Sequence, residues 1–292
     1  MSRLREWLAG GLLIADGAWG TELQARGLAP GAPPDTWNLT HPEQVEAVAS
    51  AYVEAGSQVI LTNTFRANAV AMEGDVEAIN RAGVAISKGA AAGQALVFAS
   101  IGPTGKMLVA GEIGEEQAHA AFAAQAAALA AAGADALLVE TMSDIEEARL
   151  AVAAARSTGL PVIVSFAFDS GKHKDRTMMG ATPEAVAAAM AEAGADAVGA
   201  NCGVGVEHAA LVCRRLRAAC DLPIWIKPNA GLPTMEETPE GTAIRYGMSA
   251  EFFASHYAAL REAGASFLGG CCGSTPDFIR ALVKAKARCA SS

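Results

Sequence analysis

The chain has 292 residues, 52% of them hydrophobic and 18% charged, and a formal net charge of −9. That supplies one sizeable core, and a single α/β barrel of about 250 residues accommodates the length as well as two smaller domains would. The acidic balance excludes non-specific nucleic-acid binding and charge-driven docking on an anionic membrane. No apolar run approaches the roughly 20 residues that span a bilayer, and no secretory pattern precedes Asp16, so the expected location is cytoplasmic.

Short apolar runs alternate with Ala-rich amphipathic stretches along the whole chain. The runs occupy 12–16, 58–64, 96–102, 136–141, 161–168, 197–202, 223–229 and 266–272. Between them, HPEQVEAVASAYVEAG, SDIEEARLAVAAARSTG and TPEAVAAAMAEAG open on turn or cap residues and close on Gly, the start and stop signals of helices. Continuous Val/Ile/Leu strands imply a sheet covered on both faces, hence a parallel one. A weak repeat (EAGSQVIL, AAGADALL, EAGADAVG, EAGASFLG) carries each of four helices through Gly into the second, fourth, sixth and eighth runs. Eight strand–helix units predict one α/β domain over 1–292, a single (β/α)8 TIM barrel, with an open doubly wound sheet as the other arrangement. The polar, Pro- and Gly-rich stretch from Ala230 to Gly247 reads as a long loop over the barrel mouth.

In such barrels chemistry sits at the C-terminal ends of the strands. Asp16, Asn63, Thr64, Glu140, Asp169, Asn201, Cys202, Lys227, Asn229, Cys271 and Cys272 fall there. Six cysteines in a chain of this length are too sparse for a disulfide-stapled domain, and clustering points to metal or catalysis. Adjacent side chains of a regular strand point to opposite faces, so Cys271 and Cys272 can share an ion only where the strand breaks. The surrounding GGCCG permits that break. With Cys202 they form a candidate three-thiolate zinc site with an open fourth position; a vicinal disulfide is the other reading of the pair. Cys213, Cys220 and Cys289 fall in helical stretches and read as small apolar residues. Three thiolates leave Zn2+ at a net charge of about −1, a poor activator of water but one that still acidifies a substrate thiol. The chemistry indicated is alkylation of a thiol.

Six motifs, DGAWGTEL (16–23), LTNTFRAN (61–68), VETMSD (139–144), GANCGVG (199–205), KPNAG (227–231) and GGCCGSTP (269–276), together resemble the homocysteine S-methyltransferase family. That family includes the homocysteine-binding module of cobalamin-dependent methionine synthase, bacterial betaine–homocysteine methyltransferases and S-methylmethionine-dependent enzymes. The resemblance runs from about Asp16 to Pro276. It implies a (β/α)8 barrel, Zn2+ on Cys202, Cys271 and Cys272 as the catalytic centre, and homocysteine held by Asp16, Gly17, Thr62 and Glu140 and methylated to methionine as a zinc thiolate. Asn201 and Asn63 would support those positions.

No cobalamin-binding Asp-x-His-x-x-Gly pattern and no second barrel occur in the chain, so the methyl donor is expected from outside. KPNAG, GGCCG and RTMMG (176–180) resemble the methionine-synthase modules and bacterial betaine-type enzymes, while S-methylmethionine enzymes more often carry Arg where this chain has Gly273. Betaine needs an aromatic cage, for which Trp19 and Trp37 are candidates. Arg66, where the betaine enzymes place a tyrosine, opposes such a cation. The donor expected first is therefore a methylcorrinoid on a separate partner protein, with betaine second. Two further readings are a Schiff-base aldolase-type barrel using Lys227 and a non-catalytic zinc- or thiol-binding barrel.

Overall fold

The computed structural model describes residues 3–238 and 241–290. In chain order its strands are β1 (Leu13–Ile14), β2 (Val59–Leu61), β3 (Leu96–Ile101), β4 (Ala136–Met142), β5 (Val162–Phe166), β6 (Ala197–Gly205), β7 (Ile224–Asn229), β8 (Pro233–Thr238), β9 (Gly241–Tyr246) and β10 (Ala265–Leu268). Eight of them form one parallel sheet in the order β1-β10-β7-β6-β5-β4-β3-β2. A parallel bridge between Ala15 and Val59 joins the two edge strands, and Gln58 N donates to Ile14 O at 2.7 Å across the same seam. The sheet thus curls into the expected (β/α)8 barrel. Helices between successive strands cover its outside; Asp144 and Thr182 cap two of them by accepting from Glu146 N and Ala185 N.

Two expectations change in detail. The run at 266–272 is a strand only to Leu268, so both cysteines lie beyond it. The stretch 230–247 is more ordered than a loop: β8 and β9 pair antiparallel, with Pro233 opposite Tyr246 and Thr238 opposite Gly241. Pro239 and Glu240, within that stretch, lie outside the described residues.

Strand side chains alternate, so every second residue faces the barrel axis. Phe98, Leu138, Ile163, Trp225 and Phe267 fill the interior and are all fully buried. The rings of Phe98 and Trp225 stack at 6.0 Å, and those of Trp225 and Phe267 meet at 5.2 Å. Leu4 and Trp7, from the N-terminal helix Arg3–Trp7, plug the end away from the mouth, with Trp7 at 5.5 Å from Phe98. Two residues further along, the same inward positions turn polar: Ser100, Glu140, Ser165 and Lys227. The floor of the mouth is therefore a polar layer resting on a sealed apolar one. No helix among the described residues is long and apolar enough to cross a membrane.

Phe98 touches aromatic rings from the plug and from two other strands, so its loss leaves a cavity that rigid strands cannot collapse. Phe98→Ala is expected to cost about 3–5 kcal/mol, read as a lower urea midpoint with unchanged slope.

Candidate active site

Three sulfurs converge at the mouth. Cys202 lies near the end of β6, where its pairing with β7 slips between Cys202 and Gly205. Cys202 itself has φ +57°, left-handed backbone that costs a β-carbon-bearing residue on the order of 1 kcal/mol. Cys271 and Cys272 occupy the turn after β10. Cys271 N donates to Pro228 O at 2.8 Å, and Cys272 O accepts from Ala230 N at 2.9 Å, so β7 and the residue just after it hold the turn at two points. Gly269 has to be glycine for this approach, because a Cβ there would lie 2.5 Å from Asp16 O.

The sulfur of Cys202 is 3.4 Å from that of Cys271 and 3.6 Å from that of Cys272. All three lie within 4.8 Å of one another, and every cysteine is a free thiol. A disulfide would need about 2.0 Å. Ligands on a tetrahedral ion with metal–sulfur bonds of about 2.3 Å stand about 3.8 Å apart. The spacing therefore fits a shared metal ion. The charges agree: hydrogen bonds from Cys202 and Cys271 hold the Cys272 thiol far below its usual range. Cys202, hydrogen-bonded to Cys271 and Cys272 and buried, is pushed well above it. Three thiolates this close repel one another, so ionising all of them calls for a cation among them.

Beside the thiols lies a cavity of about 430 Å³, lined by Gly17, Thr62, Ser100, Glu140, Lys227 and the three cysteines among others. Asp16 does not line it: it is fully buried behind Lys227 and Trp19, which do. Its Oδ2 accepts from Trp19 Nε1 at 2.8 Å and from Leu61 N at 2.7 Å, and its Oδ1 pairs with Lys227 Nζ. Lys227 is 2% exposed. Burial pulls its pKa down, but Asp16 and Glu140 more than offset that, and the amine stays protonated. The amine is thus engaged in an ion pair, where it neutralises Asp16.

Glu140 sits across the cavity floor. Ser100 Oγ donates to its Oε1, and Asn201 Nδ2 lies 3.4 Å from its Oε2. Burial raises its pKa to about 7, against the opposing pull of Lys227. Thr62 Oγ1 accepts from Ser100 N at 3.1 Å and meets Thr64 Oγ1 at 2.6 Å, so Thr62 braces the serine that holds Glu140. Asn201 also accepts from Thr141 N at 2.9 Å and from Ser165 Oγ at 2.5 Å, tying β4, β5 and β6 together.

Of the strand-end residues expected at the mouth, Asp169 is exposed and bonded to Ser170 Oγ, and it does not line the cavity. Asn63 lines it but spends its amide on Pro34 O and Asn38 Oδ1. Asn229 Oδ1 is buried with no partner, while its Nδ2 donates to Gly203 O at 3.2 Å, beside Cys202. Trp19 lines the cavity; Trp37 does not, and stacks instead on His41 at 4.5 Å. Phe65 and Tyr246 line it too. The sequence reading passed over both, although Tyr246 is the sole aromatic residue between Ala230 and Gly247.

The model of the family described as homocysteine S-methyltransferase matches residues 13–286. Methionine synthase of Mycobacterium leprae is 30% identical over 312 residues, an alignment covering 98% of this chain and 25% of that protein. Methionine synthase of Mycobacterium tuberculosis is 30% identical, covering 94% and 25%. The chain thus spans about a quarter of the length of these relatives. The homocysteine methyltransferase MmuM of Escherichia coli, in its metallated form, superposes with a TM-score of 0.79 at 26% identity, covering 98% of this chain and 99% of that one.

The buried Asp16–Lys227 pair yields a stability prediction. Lys227→Met leaves the Asp16 carboxylate buried without its counter-charge, and is expected to cost about 3–5 kcal/mol. Adding Asp16→Asn should recover part of that loss, as measured by urea denaturation of the single and double variants.

Proposed function

Because the chain belongs to the homocysteine S-methyltransferase family, we propose that it transfers a methyl group to the thiol of homocysteine, giving methionine. The convergence of the three thiols beside a cavity that ends on the buried carboxylate of Glu140 carries this reading. The donor set and its spacing fit Zn2+ on Cys202, Cys271 and Cys272. Bound there, zinc supplies the Lewis acidity that lets a substrate thiol lose its proton near neutral pH.

The chain's own residues then account for binding and orientation. Glu140, short of a positive partner, receives the substrate ammonium in a charge-assisted hydrogen bond. Ser100, Thr62 and Asn201 hold that carboxylate in place. Asp16 and Gly17 shape the turn that closes the amino-acid end, with Asp16 acting through Lys227 and Trp19. The substrate sulfur is thereby held beside the three cysteines, in a cavity that Trp19, Phe65, Arg66 and Tyr246 also line. In the reaction the S–H proton goes to solvent, a sulfur–carbon bond forms to the methyl group, and the bond from methyl to its carrier breaks with its electron pair leaving on the carrier.

For the donor we favour a methylcorrinoid held by a separate protein, supported by the likeness to methionine synthases about four times as long and by the Arg66 guanidinium, which disfavours an onium donor. Trp19, Phe65 and Tyr246 favour the second reading, betaine, by supplying aromatic faces for a quaternary ammonium. Assigning the protein to the cytoplasm belongs to the same proposal.

The test gives zinc-loaded protein homocysteine with a methylcorrinoid protein, betaine or S-methylmethionine in turn, and measures methionine. Turnover with one donor is expected; binding of homocysteine without turnover on any of them would mark a non-catalytic barrel. Cys202→Ala, Cys271→Ala and Cys272→Ala are each expected to lose both tightly held zinc and turnover, and full activity in any of them would remove that residue from the site. Glu140→Gln keeps the shape but loses the charge, so KM for homocysteine should rise about 10- to 100-fold, matching the about 1.5–3 kcal/mol of a hydrogen bond to a charged group, with kcat changed far less.

A further inference from the structure

Two residues at the mouth hold a backbone conformation that their side chains oppose. Among the described residues, left-handed backbone at a non-glycine occurs at Ala92, which closes the helix Val76–Ala91, and at Lys174 in an exposed turn. It occurs again at Thr141 and Cys202, with φ +62° and +57°. For a β-branched residue such as Thr141 this is a true outlier, which persists only where the surroundings impose it. Both residues also stand where a ladder breaks. Glu140 and Thr141 together oppose the single residue Ser165, a bulge between Val139 and Met142, and the register of β6 with β7 slips after Cys202. A bulge re-aims side chains and leaves them without a regular ladder to fix them. One side chain joins the two breaks. Asn201, fully engaged beside Cys202, accepts at Oδ1 from Thr141 N at 2.9 Å and donates from Nδ2 to Thr141 Oγ1 at 2.7 Å. It spans β5 to do so, and Ser165 Oγ on that strand donates to the same Oδ1 at 2.5 Å. Asn201 Nδ2 also lies 3.4 Å from Glu140 Oε2.

We propose that Thr141 is a positioning residue that sets the length of substrate the site accepts, because its clamp to Asn201 fixes the span from the Glu140 carboxylate to the Cys202 sulfur. This rests on the proposed roles of Glu140 and Cys202 and deepens them. Glu140 takes the substrate ammonium and the cysteines receive its sulfur, so the two ends of the amino acid are held by residues on β4 and β6, which are not neighbours in the sheet. Thr141 follows the first and Asn201 precedes the second, and their paired hydrogen bonds are what bind one end to the other. Cysteine carries the same ammonium and thiol one methylene closer together than homocysteine does. A site whose ends are locked satisfies both groups of only one of them, whereas a site whose ends yield can follow the shorter molecule. Thr141 lines the cavity, yet its hydroxyl is taken by Asn201, so it acts through its neighbours in the chain. The strained conformation keeps its N–H and its hydroxyl turned to the same amide.

The experiment measures, by calorimetry, the binding of homocysteine and of cysteine to the zinc-loaded full chain, and compares Thr141→Val, Thr141→Ser and Thr141→Gly with the unaltered protein. Thr141→Val keeps the branched shape but offers Asn201 no acceptor. Thr141→Ser restores the hydroxyl, and Thr141→Gly takes left-handed backbone freely without one. The unaltered protein and Thr141→Ser should favour homocysteine by about 10-fold or more. In Thr141→Val and Thr141→Gly that preference should fall about 10-fold, because homocysteine binds more weakly while cysteine does not. Equal weakening of both thiols overturns the proposal and marks a packing role. A preference kept in Thr141→Val overturns it as well, and so does one kept in Thr141→Gly, where the backbone alone would set the span. If the unaltered protein binds both thiols equally, the length reading falls while methyl transfer to homocysteine stands. If it holds zinc on its cysteines and binds neither thiol, the proposed function fails and this inference with it.

Discussion

One buried carboxylate ties the architecture to the site. Asp16 follows the shortest strand of the barrel, and its two oxygens reach three elements at once: Leu61 N on β2, Trp19 in its own turn and Lys227 on β7. The ladder between β1 and β2 is thin, and the bond from Leu61 N to Asp16 replaces a backbone bond it lacks. Burying either ion alone costs several kcal/mol; together, with Leu61 N and Trp19 Nε1 also donating to the carboxylate, the cost is largely met. The carboxylate therefore does the work of a strand at the seam, and Lys227 is the charge that makes its burial tolerable.

That arrangement also explains why Glu140 is available. Among the described residues, Lys227 is the one cation in the cavity lining besides the exposed Arg66, and Asp16 already holds it. Glu140 is left with hydrogen bonds but no full counter-charge, and burial raises its pKa to about 7. A cavity floor with a satisfied acid and an unsatisfied one can accept a single ammonium at a single place. The apolar layer beneath, with its aromatic rings and the Leu4–Trp7 plug, keeps water from entering by the other end.

Much of this was legible in the residues. Continuous apolar runs between Gly-terminated helices marked all eight barrel strands, and strand-end position brought Cys202, Cys271 and Cys272 to one place. The less accessible part involves side chains that act on one another rather than on the outside. Asp16 reads as a turn residue or a substrate contact, and nothing in DGAWG reveals that Lys227 will take its charge from 211 positions away. Trp37 and Asp169 have the right chemistry near the right place, yet a stacked His41 and a local turn claim them. The hairpin escaped because its sequence is rich in Pro, Gly and Glu, which suggests a loop; the antiparallel register that puts Tyr246 back over the cysteine turn is a property of two strands together.

The sequence distances in the site bear on how it comes into being. Cys202 and Cys271 are 69 positions apart, and Asp16 and Lys227 are 211 apart. Contacts of that separation carry a loop-closure cost that slows folding. During synthesis, Cys202 leaves the ribosome with neither of its partners and Asp16 with no counter-charge. The thiol cluster and the seam can be completed only once the eighth barrel strand exists, since β10 lies between β1 and β7 in the sheet. Closure of the ring and convergence of the three thiols are thus one late event in the life of the chain, so Cys202 stays without its partner sulfurs until the last barrel strand docks.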